Sequence, residues 1–337
     1  MIRLPAFEYL KPRSVGDAVK HLADRGGDAM LVAGGTDLFP NMKRRQFEPK
    51  ALVGLRGIRE LRGVRATSGG FTIGAATTLT HVATHADVAR RYPALATAAG
   101  LVSSPQLRNM GTLGGNVCVD TRCNYYNQTY EWRKAIGFCM KKDGDICLVA
   151  PGSPRCWAVS SSDTAPVLWA LGATARLAGA AGERTVPVSA LFRDDGIEYL
   201  AKRPDEILTE LALPTADGWS SVYLKLRRRG SFDFPVLGVA AAVRRENEIV
   251  REARIVLGAV ASQPREATAA GAALIGERLT SETITRAAEL AAGPSKPLDN
   301  TDFTHPYRKK LTRVYVARAL ARLAGLDAGP SSYEAGG

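Results

Sequence analysis

Four cysteines, Cys123, Cys139, Cys147 and Cys156, fall within one 34-residue window of a 337-residue chain that holds five cysteines in all. Spread evenly, such a window would hold about half a cysteine. The stretch around them, 119–158, keeps no sustained period of 2 or 3.6 and carries Tyr125, Tyr126, Tyr130, Trp132, Phe138 and Trp157. A loop of that length without periodic structure is uncommon in a compact domain unless it has a job of its own. Residues 1–10 lack the basic, apolar, small-residue order of an export signal. The expected location is therefore cytoplasmic, where structural disulfides are rare and clustered thiols point to metal or redox chemistry. The segment reads as an insertion organised around a metal centre.

The rest of the chain has ordinary globular composition, 45% hydrophobic and 23% charged. It has no apolar run near the roughly 18 to 20 residues of a membrane span. The net charge is +12, but the basic residues are scattered, with short runs at 43–45, 227–229 and 309–310. No recognised nucleic-acid motif accompanies them, so nucleic acid is not an expected partner.

Hydrophobic patterning places a helix after Ser14 to about Asp24, a buried strand over Ala29–Ala33, and strands at Ala51–Leu55 and Phe71–Ile73. A mostly helical stretch follows from Leu79 to Ala99, interrupted near Pro93, and another helix over Ala165–Leu171. Strands are expected at Ala173–Leu177, Glu206–Leu213, Val222–Leu226, Val236–Val243 and Ala253–Val260, then helices at Pro264–Ile275, Ser281–Ala292 and Pro306–Leu323. In the last helix Val316, Leu320 and Leu323 share one face. Pro214 and Gly218 mark the expected boundary between domains at 1–217 and 218–326, with a frayed tail at 327–337.

Two glycine loops are the binding candidates. In the first, Val32, Ala33, Gly34, Gly35, Thr36, Asp37 and Leu38, paired glycines after a strand let backbone approach a ligand and turn amides toward phosphate oxygens. In the second, Ser104 to Asn116, Thr112, Leu113, Gly114, Gly115 and Asn116 offer a hydroxyl, amides and a side-chain amide. Two such loops could clamp the two phosphates of one dinucleotide. Neither is a G-x-G-x-x-G or G-x-x-x-x-G-K-[ST] signature, so ordinary NAD binding and P-loop hydrolysis lose support. His81 and His85 are four apart but lack the glutamate of a zinc-protease motif and a third ligand. No Ser/His/Asp arrangement is present to anchor hydrolysis.

The A-G-G-T-D-L loop, the S-P-Q-L-R-N-M-G-T-L-G-G-N loop and D-T-A-P at Asp163–Pro166 resemble the FAD-binding subunit or domain of the xanthine dehydrogenase and carbon monoxide dehydrogenase family of molybdenum hydroxylases. K-L-R-R-R-G-S-F-D-F at Lys225–Phe234, R-I-V-L-G-A-V at Arg254–Val260, and Tyr307-Arg308 extend the likeness to about Leu323. The resemblance implies an α+β chain: a two-lobed, PCMH-type FAD-binding α/β domain, then a domain of antiparallel strands and helices. It implies that Val32–Leu38 and Thr112–Asn116 hold the FAD pyrophosphate, that Asp163 contacts the cofactor, and that Val102, Ile207 and Lys225 occupy flavin-side positions.

Most of that family passes almost directly from G-G-N to the aspartate segment, whereas about forty residues intervene here. This resembles one branch, the 4-hydroxybenzoyl-CoA reductases, whose FAD subunit carries a 4Fe-4S cluster in such an insertion. That likeness makes Cys123, Cys139, Cys147 and Cys156 the cluster ligands, with Cys118 a packing residue. Four thiolates match the ligand count of a cubane, and six basic residues against four acidic ones in 119–158 suit an anionic cluster. Zinc is the competitor, but zinc sites favour closely spaced pairs, and the gaps here hold 15, 7 and 8 residues.

The branch implies reductive dehydroxylation of 4-hydroxybenzoyl-CoA to benzoyl-CoA with electrons from reduced ferredoxin. The partners would be a large molybdenum-cofactor subunit and a small 2Fe-2S subunit, in a dimer of heterotrimers. The alternative is the FAD subunit of an ordinary molybdenum hydroxylase whose insertion binds zinc or no metal.

Overall fold

Ser14 caps the first helix as expected, its hydroxyl accepting from the Asp17 amide at 3.0 Å. The computed structural model describes residues 2–326; the expected tail at 327–337 lies outside them. Three short strands, β1 (Glu8–Leu10), β2 (Ala29–Val32) and β3 (Ala51–Gly54), form a parallel sheet in the order β1-β3-β2. Helices α1 (Val15–Arg25) and α2 (Leu38–Lys43) flank β2 in sequence. Ala18 and Leu22 of α1 pack with Val53 into a small core, and Met42 of α2 packs with Val32 and Leu52 into a second.

Strands β4 (Val64–Thr67), β5 (Gly70–Gly74), β6 (Thr174–Gly179), β7 (Gly182–Pro187) and β8 (Ile207–Pro214) make an antiparallel sheet in the order β4-β5-β8-β6-β7. Between β5 and β6 run α3 (Leu79–Thr84), α4 (Ala86–Arg91), α5 (Pro93–Leu101), α6 (Pro105–Arg108), α7 (Leu113–Val117), α8 (Tyr130–Ala135) and α9 (Thr164–Ala170). The mostly helical stretch over 79–99 is interrupted at Tyr92 with Pro93 opening α5, as expected, and has a further break at His85, where the backbone is extended. The sequence reading missed β1, β4 and β7. The last two are edge strands of the five-stranded sheet, and edge strands need not bury a face that would show as alternating hydrophobicity.

The third sheet is antiparallel, in the order β12-β11-β10-β9, from β9 (Trp219–Leu226), β10 (Leu237–Glu246), β11 (Ile249–Gly258) and β12 (Arg265–Glu266). It is buried on both faces. Val239, Ala241 and Val243 point to a core shared with α11 (Ser281–Ala291) and α12 (His305–Leu323), while Ala240 and Ala242 point to the core containing α5 and α9. The two-residue strand period explains why β10 reads as an unbroken apolar run rather than an alternating one. The expected helix over 264–275 is a correction. Arg265 and Glu266 pair with Leu257 and Val256 as β12, and only Thr268–Ala272 is helical, as α10. On α12, Val316, Leu320 and Leu323 are buried as expected. Among the described residues no helix is long and apolar enough to cross a membrane.

Candidate functional site

The two glycine loops, about eighty residues apart in sequence, touch. A Cβ on Gly34 would lie 2.1 Å from the Met110 carbonyl oxygen and 2.9 Å from the Gly111 Cα, so only hydrogen fits between the loops. Gly35 is required for another reason: its φ is +70°, and a Cβ there would strike the Phe39 ring at 2.3 Å.

The loops differ in what their amides do. In the second, the Leu113 amide donates to the Thr77 carbonyl at 2.9 Å, Gly114 to Ala75 at 2.8 Å, and Gly115 to the Thr112 hydroxyl at 3.1 Å. In the first, the amides of Gly34, Gly35, Thr36 and Asp37 have no acceptor among the described residues. The free amides therefore belong mainly to the first loop, with that of Thr112 added from the second, which serves chiefly to pack against it.

Both loops line one cavity of about 970 Å³, at the upper end of the roughly 300 to 1,000 Å³ typical of cofactor sites. Of the sequence-predicted residues, Val32, Ala33, Gly34, Gly35, Thr36, Asp37, Leu38, Val102, Thr112, Gly114, Gly115, Asn116, Asp163 and Ile207 line it. Two do not. Leu113 is fully buried in the core, and Lys225 stands behind the wall. Asn116 lines the cavity and also organises it. Its Oδ1 accepts from the Ser162 hydroxyl at 2.9 Å and from the Thr164 amide and hydroxyl at 3.1 and 2.7 Å, holding Asp163 in place.

Asp163 accepts from the Tyr223 hydroxyl at 2.8 Å and from Lys225 Nζ at 2.9 Å. Lys225 Nζ also donates to the Leu101 and Asp233 carbonyls at 3.0 and 2.9 Å. Burial pushes the Asp163 carboxyl up and the Lys225 ammonium down, and their mutual attraction opposes both shifts. So Lys225 acts on the cavity through Asp163 rather than at its surface.

The cavity has walls that motif reading missed: the segment Ile197–Pro204, with Arg193, and Arg229, Phe232, Asp233 and Phe234 from the loop between β9 and β10. Ile197–Pro204 has no repeat, glycine pair or charge pattern to single it out. Phe232 and Phe234 belong to the quoted K-L-R-R-R-G-S-F-D-F motif, which was the available signal.

The 119–158 segment contains one short helix, α8, and is otherwise turns, bends and isolated bridges such as Arg122 with Val159. It is tied to its surroundings by polar contacts: Gln46 Nε2 donates to the Tyr126 carbonyl at 2.5 Å, and fully buried Arg133 donates to the Arg44 and Arg45 carbonyls at 3.0 and 3.2 Å. Cys123, Cys139, Cys147 and Cys156 are all buried and line one chamber with Tyr125, Tyr126, Met140, Lys141, Leu148, Val149 and Ala158. Cys118 is separate; it packs against the main core and lines the large cavity. Burial pushes the Cys123 thiol up to about 12 and the Cys156 thiol up to about 11. Backbone amides donate to both sulfurs, that of Ala158 reaching Cys156 Sγ at 3.4 Å.

The donor set, dry walls and amide-to-sulfur bonds fit an iron–sulfur centre. The expected metal centre is not supported by the geometry, however. Among the described residues no group of three or more His, Cys, Asp or Glu side chains is gathered around a point that could hold a metal ion, and the chamber, about 10 Å³, holds about one water. The four thiols share a chamber without closing on one centre. Between chamber and cavity lies a buried ion pair: Lys141 Nζ donates to Asp120 at 2.8 Å, and Asp120 lines the large cavity.

Residues 5–216 match the family described as the FAD binding domain in molybdopterin dehydrogenase, and residues 221–323 match the one described as the CO dehydrogenase flavoprotein C-terminal domain. The chain is 31% identical to the carbon monoxide dehydrogenase medium chain of Hydrogenophaga pseudoflava over 317 residues, 94% of this chain and 96% of that one. It is 31% identical to the aldehyde oxidoreductase FAD-binding subunit PaoB of Escherichia coli K12 over 281 residues, 80% of this chain and 86% of that one. It also resembles a solved structure of carbon monoxide dehydrogenase from Hydrogenophaga pseudoflava, with a TM-score of 0.78 at 31% identity over 94% of this chain and 97% of that one.

Proposed function

Because the chain belongs to the FAD-binding medium subunits of the xanthine dehydrogenase and carbon monoxide dehydrogenase family, we propose that it relays electrons for a molybdenum oxidoreductase whose substrate site lies on another subunit. The observation that carries this reading is the cavity at the meeting of the glycine loops, with its row of free amides. FAD bound there would supply the exchange between two-electron and one-electron carriers. The chain's own part is to bind, orient and exclude water. Amides of Gly34–Asp37 would hold the phosphates, Asn116 holds the Asp163 turn, and Val102 and Ile207 would give the flavin an apolar wall. We read residues 1–217 as the flavin domain and 218–326 as the domain that closes it through Lys225 and Phe234. A large molybdenum subunit and a small 2Fe-2S subunit are the partners this role requires.

The four buried cysteines favour a more specific second reading: a 4-hydroxybenzoyl-CoA reductase-like subunit whose insertion holds a 4Fe-4S cluster and takes electrons from ferredoxin. The thiols would have to spread to receive it.

The test is oxygen-free purification of the full chain, a flavin absorption spectrum, and iron, sulfide and zinc analysis. A colourless protein that takes up no FAD removes the first reading. About four irons per chain, the count of one cubane, supports the second, and zinc alone or no metal removes it in favour of an ordinary hydroxylase subunit. Turnover of 4-hydroxybenzoyl-CoA by the reconstituted complex with reduced ferredoxin decides the substrate.

A further inference from the structure

Arg122 immediately precedes Cys123, yet its side chain lines the large cavity and not the cysteine chamber. That side chain is 5% exposed. Nη2 pairs with the Asp37 carboxylate, Nη1 donates to Asn41 Oδ1 at 3.1 Å, and the Phe234 ring centroid lies 4.7 Å from Cζ. Nε is buried with no acceptor. The backbone beneath is clamped by a reciprocal pair of bonds with Val159, at 2.8 and 2.7 Å, so the guanidinium is presented from a fixed base.

Two features call for an anion here. Arg122 Nη2 carries a second N–H beyond the one given to Asp37, with no acceptor among the described residues, and because the side chain lines the cavity a phosphate oxygen there would satisfy it. Asp37 sits at the end of the free amides of the first loop, where an unpaired carboxylate would repel any phosphate those amides bind. Arg122 cancels that charge and orients a further donor.

We propose that Arg122 is a ligand to the phosphates of the bound dinucleotide, contributed by the cysteine-bearing segment rather than by either glycine loop, with Asp37 and Asn41 as its positioning residues. This rests on the reading of the cavity as the FAD site. The segment thereby forms part of the flavin site whatever its cysteines hold.

The test is titration of the full chain, stripped of flavin, with FAD and with riboflavin, which has no phosphate. Arg122→Met is expected to weaken FAD about 10- to 100-fold, the range for a lost charged hydrogen bond, and to leave riboflavin within about threefold. Arg122→Lys, which keeps the charge and loses the planar fork, is expected to fall between. FAD affinity should also depend less on NaCl in Arg122→Met than in the wild type. Unchanged FAD binding in Arg122→Met overturns the proposal, as does a proportional loss of FAD and riboflavin. Should Arg122→Met fail to fold, Arg122→Lys binding FAD as tightly as wild type overturns it equally. A wild-type chain that binds neither ligand sinks the underlying reading as well, an outcome distinct from those.

Discussion

Replacing Lys225 by methionine isolates the interaction that joins β9 to the wall of the cavity. The side chains of Lys225 and Asp163 are 1% and 3% exposed and meet at 2.9 Å. Methionine fills most of the volume but leaves the carboxylate with only the Tyr223 hydroxyl, and strands the Leu101 and Asp233 carbonyls, 3.0 and 2.9 Å from the vanished nitrogen. Removing one partner of a buried pair costs about 3 to 5 kcal/mol, because the other charge stays buried. The carbonyls place the expected loss in the upper half of that range. Adding Asp163→Asn removes the uncompensated charge, so Lys225→Met/Asp163→Asn should recover at least about 2 kcal/mol over Lys225→Met alone. Urea unfolding followed by tryptophan fluorescence measures all four corners of the cycle, and Trp169 and Trp219, packed at the edge of the core that Tyr223 joins, report locally. Strictly additive losses, or a Lys225→Met protein within about 1 kcal/mol of wild type, would refute the account of Lys225 as the buried counter-charge.

Further outcomes follow from other contacts. Gly34→Ala must push the two loops apart by more than about 1 Å to reach ordinary van der Waals separation, so it should cost about 1 to 3 kcal/mol and weaken FAD in the same titration. Gly196→Ala would place a Cβ 2.6 Å from Cys156 Sγ; it should lower iron uptake in oxygen-free material while leaving FAD content unchanged, and equal losses of both would contradict the separation of the two sites. Glu206, hydrogen-bonded by Arg184 at 2.7 and 2.9 Å, is held down to about 2 from an ordinary 4.5. A depressed carboxyl stabilises above its unfolded pKa, so the contribution, about 3 kcal/mol at most, is intact at neutral pH and disappears as pH falls from 4.5 toward 2. Glu206→Gln should flatten that part of the acid-unfolding curve.

Much of the frame was legible because local signals and tertiary demand agree. Ser14 caps α1, paired glycines follow β2, and the apolar stripe of α12 enters the core as its spacing requires. Where they disagree, the reading failed. Pro264–Ile275 has helical composition, but the edge of β11 takes Arg265 and Glu266 as a strand, because an unpaired sheet edge bonds whatever backbone lies beside it. The second glycine loop looked like an anion cradle, yet its amides bond Thr77, Ala75 and Thr112, a partnership that no local pattern reveals.

For this protein the sequence alone determined the family, the two glycine loops and the clustering of four cysteines in one segment, since each depends on residue type at a local spacing. Tertiary structure alone decided that Gly34 meets Met110, that Lys225 reaches Asp163 instead of the cavity, and that Arg122 crosses from the cysteine segment to the first loop. The physical reason is that hydrogen-bond satisfaction and burial are properties of pairs distant in sequence, and only the packed chain says which donor finds which acceptor.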